Sequence, residues 1–177
     1  MITYELALFL GGISLLIFLV ITLIYKIKLK KAIIVSIFII YLTAVVSITL
    51  FPILIEEKVE YFGDITWYNF IPFKTIIGMF SEGINTTSIV QFCGNICMTI
   101  PFGVIIMYLI NNTKWLKFLL ISFIFSVSIE FAQLIIGLII NNMYRTVDID
   151  DIILNVLGAF IGFGIYKLFQ YYVKLTD

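Results

Sequence analysis

Glu130 is the residue that most needs a partner, because it lies near the middle of a long apolar stretch. An acid at the centre of a membrane span costs about 2.5–3.5 kcal/mol on insertion scales, so it turns toward a cavity or another polar group rather than toward lipid. Ser122, Ser126, Glu130 and Gln133 recur at spacings of four, four and three, which puts them on one stripe of a helix. A second stripe runs through Gln91, Asn95 and Thr99 to Gly103, with Pro101 a kink site. A third carries Asp151 and Asn155, then Gly158 and Gly162. Three helices that each present a stripe lipid would reject are expected to bring those stripes together into one polar interior.

The run Arg145-Thr146-Val147-Asp148-Ile149-Asp150-Asp151 stands where the third of these helices begins. Acids there can cap free N–H groups and complement the helix dipole, and Asp148 or Asp150 could do only that. Three acids beside the single arginine of the chain also suit other chemistry. Asp148, Asp150 and Asp151 with amide oxygens are hard ligands for a divalent cation such as Mg²⁺ or Ca²⁺. Alternatively, arginine near carboxylates suits the phosphate or hydroxyls of an envelope lipid or sugar. Glu130 and Asp151 are the candidate catalytic acid and base.

The frame that holds these residues is a membrane bundle. Hydrophobic residues make up 62% of the 177-residue chain and charged residues 12%, with a mean hydropathy of +1.15. A soluble domain is about 25% charged. A span of about 20 apolar residues crosses the hydrocarbon core. Windows of that kind run roughly over Leu6–Tyr25, Ala32–Phe51, Ile89–Ile110, Leu116–Ile140 and Ile149–Phe169. We therefore expect an all-α, polytopic membrane helix bundle of about five spans forming a single domain over 1–177. Glu5 ahead of the first window, and the lack of a small-residue cleavage site after it, argue against a cleavable signal peptide. Lys26, Lys28, Lys30, Lys31, Lys114, Lys117, Lys167 and Lys174 fall at one end of such a bundle, against Lys58, Lys74 and Arg145 at the other. The positive-inside rule then predicts an external N-terminus and a cytoplasmic C-terminus. The acids Glu56, Glu57, Glu60, Asp64, Glu82, Asp148, Asp150 and Asp151 fall at the outer end. The connection from Pro52 to Ser88 is then external. Its aromatic part, Trp67 to Lys74, reads as a segment in the outer interface or dipping partly into the membrane.

Composition also excludes. With no histidine, histidine general bases, Ser-His-Asp triads, HExxH sites and histidine-ligated zinc are absent. A net charge of +0 gives no basic surplus for nucleic acid. Cys93 and Cys97 share one helical face, a poor geometry for a disulfide, and read as small packing residues.

Three blocks resemble the VanZ-like membrane proteins, a family named for a component associated with teicoplanin (glycopeptide) resistance. Asn69-Phe70-Ile71-Pro72-Phe73 is similar to that family's external IPF block. Gly94-Asn95-Ile96 with Ile100-Pro101-Phe102-Gly103 is similar to its GN…PFG block. Glu130-Phe131-Ala132-Gln133, then Arg145 to Asp151, then Asn155 and Gly158, is similar to its E-x-x-Q…R-x-x-D-x-D-D…N-x-x-G block. The resemblance runs from about Tyr68 to about Gly164. Thr99 stands where the family often has an aromatic, and Ile136–Tyr144 is poorer in glycine and proline than the family's loop. The resemblance implies a shared site of Asn95, Glu130, Gln133, Arg145, Asp148, Asp150, Asp151 and Asn155, and an association with reduced glycopeptide susceptibility.

Three functions are compatible with these features. The first is a cell-envelope protein binding an envelope lipid, a cell-wall precursor or the glycopeptide itself. The second is a membrane-embedded enzyme, with or without a divalent cation, acting on an envelope lipid or glycan. The third is a small transporter or flippase, against which stand the short chain and the lack of an internal repeat.

Overall fold

Five long apolar stretches become five long helices. In this computed structural model the described residues are 1–53, 68–81, 83, 85–110, 114–141 and 145–176. Helices α1 (Glu5–Ile24), α2 (Leu29–Leu50), α4 (Thr86–Leu109), α5 (Trp115–Ile139) and α6 (Ile149–Thr176) are each long and apolar enough to cross a membrane. A short helix, α3 (Lys74–Ser81), and two two-residue strands, β1 (Tyr68–Asn69) and β2 (Val147–Asp148), complete the described elements. The loop acids Glu56, Glu57, Glu60, Asp64 and Glu82, with Lys58 and Trp67, lie outside the described residues.

Helices α4 and α6 form the spine, and glycine makes their approach close. A Cβ on Gly162 would collide with the carbonyl oxygen of Ile100, and one on Gly158 with the carbonyl of Ile96 and the hydroxyl of Thr99. Gly103 on α4 faces the carbonyl of Ala159 in the same way. Gly158 and Gly162 thus form a small-xxx-small seam of the kind that lets membrane helices touch backbone to backbone. Gly11 repeats the device on a smaller scale, seating α1 against Thr43 of α2.

The bundle is apolar at one end and polar at the other. Phe102, Met107, Phe118, Ala159 and Tyr166 are buried together. Phe102 stacks on Phe125 with ring centroids 4.0 Å apart, and Tyr108 meets Tyr166 edge-on at 4.8 Å. At the other end the chain starts and α2 finishes side by side, through an antiparallel bridge between Ile2 and Ile53.

The aromatic segment before α3 is pinned to the start of α6. β1 pairs in parallel with β2, Tyr68 opposite Val147 and Asn69 opposite Asp148. The chain then turns through Phe73, whose φ of 66° is left-handed, into α3.

Candidate functional site

The polar stripes meet only over the upper half of their length. On α5, Ser122 is buried but returns its hydroxyl to the carbonyl of Phe118 at 2.9 Å. Ser126 reaches the carbonyl of Ile152 at 3.4 Å. Thr99 is fully buried and donates to the carbonyls of Asn95 and Ile96. These three hydroxyls are spent on the backbone, so they add helix contacts and leave no free polar surface.

Above them a cavity of about 810 Å³ lies among α2, α4, α5 and the start of α6. That falls within the roughly 300–1,000 Å³ usual for small-molecule sites. Of the eight residues expected to share a site, Asn95, Glu130, Gln133, Arg145, Asp151 and Asn155 line it. Glu130 is 4% exposed and accepts the Asp148 amide at 3.1 Å through Oε2. Asp151 accepts through Oδ1 from Asn95 Nδ2 at 2.6 Å and from Gln91 Nε2 at 3.3 Å. Gln133 ties α5 to α2 by donating to the carbonyl of Thr49 at 3.0 Å. Arg145 donates from Nη2 to the carbonyls of Ile48 and Phe51, at 3.1 and 3.2 Å, and so takes up the orphan carbonyls at the end of α2. Asn155 is 2% exposed, and its Oδ1 accepts no hydrogen bond.

Asp148 and Asp150 face elsewhere. Asp148 accepts from Asn69 Nδ2 at 2.9 Å, from the Thr75 hydroxyl and from the Asp150 amide at 2.9 Å. Asp150, 1% exposed, accepts from the amides of Phe73 and Ile76 and so caps the start of α3. Neither lines the cavity, so the three acids Asp148, Asp150 and Asp151 do not form one ligand set. The physical reason is helical phase: successive residues point in different directions, and only Asp151 shares a face with Asn155. Among the described residues no group of three or more Cys, Asp or Glu side chains is placed to hold a metal ion.

Several contributors carry no signal in the sequence. Tyr41 closes the cavity floor by donating to the carbonyl of Met98 at 2.9 Å, and Thr49 offers only its backbone. Cys93 and Cys97 do not pack inside the bundle: both are exposed free thiols, and Cys97 lines the cavity.

Spans, seam and cavity together define a polytopic membrane protein with an acid-bearing cavity set into one end of its helix bundle. The family model described as VanZ/LLP1 matches residues 38–170, and the chain belongs to that family. The match leaves out α1 and the first turns of α2, and takes in every cavity-lining residue. Neither a curated protein nor a solved structure matches the chain.

Proposed function

We propose that this VanZ-like protein is a binding component of the bacterial cell envelope, lowering glycopeptide (teicoplanin) susceptibility by holding an amphiphile or glycopeptide in an outward-facing cavity. The observation that carries this reading is the unsatisfied, buried Oδ1 of Asn155 in a cavity that also holds Glu130 and Asp151. A buried polar atom without a partner is costly, and a ligand is one way to supply the partner. Orientation follows from charge. The lysine-rich turns lie at the opposite end from the cavity, so the positive-inside rule puts the cavity outside, with the N-terminus external and the C-terminus cytoplasmic.

A second reading is a membrane-embedded enzyme in which Glu130 and Asp151, sharing one cavity, act as acid and base on an envelope lipid or glycan. A transport path has less support, because the aromatic packing of Phe102, Phe118 and Phe125 closes the bundle below the cavity.

Glu130→Gln and Asp151→Asn test the reading without removing structural contacts. Glutamine still accepts the Asp148 amide, and asparagine still accepts from Gln91 and Asn95. At equal membrane levels, we expect each variant to lose at least half of the teicoplanin tolerance that the wild type confers on a susceptible host. Unchanged tolerance in both would remove these carboxylates from any functional role. Envelope lipid and cell-wall profiling separates the two readings, since a modified product appears only for an enzyme.

A further inference from the structure

The cavity is open along its side as well as at its end. Ala44 and Ile48 of α2, and Val90, Gly94, Cys97 and Pro101 of α4, line it while remaining exposed. On α4 these positions recur at spacings of four, three and four, a single apolar stripe running from near the helix start to its middle. In a bilayer that slot between α2 and α4 faces acyl chains, and it leads directly to Glu130, Asp151 and Asn155. The slot is open beside Gly94, where a Cβ would meet nothing within 4 Å.

The polar end of the slot is rich in acceptors. Among the described residues the second oxygen of Glu130 and the second oxygen of Asp151 accept no hydrogen bond, and Asn155 Oδ1 is buried without a donor. A primary ammonium group carries three donors and no acceptor. Arg145 stands on the same cavity wall, where its guanidinium brings a positive charge that suits an anion.

Building on the proposed binding function, we infer that the occupant is a phospholipid whose headgroup bears a primary ammonium, admitted sideways through the α2–α4 slot. Its ammonium rests on Glu130, Asp151 and Asn155, its phosphate meets Arg145, and an acyl chain lies along Val90, Gly94 and Pro101. A trimethylated headgroup has the same charge and no N–H donors, so it leaves Asn155 Oδ1 unsatisfied. A site built from acceptors rejects such an analogue strongly.

The test uses the full chain in detergent, stripped of lipid, with palmitoyl-oleoyl phosphatidylethanolamine, phosphatidylcholine or phosphatidylglycerol added and bound lipid read by native mass spectrometry. We expect the wild type to hold phosphatidylethanolamine at least tenfold more tightly than the other two. Asn155→Leu and Glu130→Gln should each reduce that ratio to about threefold or less, the second serving if the first does not fold. Gly94→Trp, whose Cβ meets nothing within 4 Å and whose indole would occupy the slot, should lose all three lipids. Equal binding of the three lipids by the wild type overturns the inference and leaves the binding function standing. So does a preference that survives Glu130→Gln, or an Mg²⁺ adduct that excludes phosphatidylethanolamine. No lipid binding at all, with wild type and Gly94→Trp alike, overturns both.

Discussion

Leucine in place of Gly162 is expected to break the α4–α6 seam and lower stability by about 3 kcal/mol or more, at the upper end of overpacking effects. The reason is the identity of the neighbours. A Cβ at Gly162 meets the Ile100 carbonyl, then Gly103 Cα and the Val104 amide, each at 3.0 Å, and all of these are backbone. No rotamer change can relieve the clash, so a whole helix must shift. Because Asn95 and Asp151 bridge the same two helices, the shift would also disturb the cavity wall. Gly164→Leu is the control, on the same helix, where a Cβ meets nothing within 4 Å. Thermal melting followed by circular dichroism in detergent should show the Gly162 variant melting well below the wild type and the Gly164 variant close to it. Equal melting of the two variants would contradict the close-packed seam.

The second large effect belongs to Asp150. Alanine there removes the acceptor for the Phe73 and Ile76 amides and leaves two donors unpaired at the start of α3. Hydrogen bonds to a charged group are worth about 1.5–3 kcal/mol each, and an N-cap alone about 1 kcal/mol. We expect a local loss of about 3 kcal/mol, concentrated in residues 70–81. The left-handed Phe73 needs such fixing, since a non-glycine residue in that region costs about 1–2 kcal/mol. Amide hydrogen exchange should show α3 exchanging many times faster in Asp150→Ala, with α4 and α5 unchanged. Asp150→Asn should fall between, because an amide has one acceptor oxygen where the carboxylate has two. Unchanged exchange in α3 would mean that Asp150 does not hold the segment.

The contrast between Asp150 and Asp151 explains what was legible in the sequence. Apolar length and helical spacing are local properties, so the five spans and the stripes through Glu130 and Asn155 could be read from residues a few positions apart. The ends were less legible. α2 starts at Leu29 rather than Ala32, taking in Lys30 and Lys31, and α4 starts at Thr86, capped by the Asn85 side chain accepting from the Ser88 amide at 2.8 Å. α6 runs on to Thr176 past the apolar window, with Tyr171, Tyr172 and Lys174 on its last turns. The division of labour among the three acids could not be read at all. It depends on Phe73, Thr75 and Ile76, more than 70 residues away in the chain, and no periodicity encodes that pairing. The same holds for Arg145, whose carbonyl partners lie at the end of α2.

The proposed occupant of the cavity is an amphiphile of the envelope in which the protein works. This is tested most directly by extracting wild type and Gly94→Trp from bacterial membranes under mild detergent and comparing retained adducts by native mass spectrometry. A Cβ at Gly94 meets nothing within 4 Å, so the larger side chain starts into open space at the cavity. One predominant lipid-sized adduct is expected on the wild type and is expected to be lost from the variant. The same adduct pattern on both proteins, or none on the wild type, would contradict the proposal.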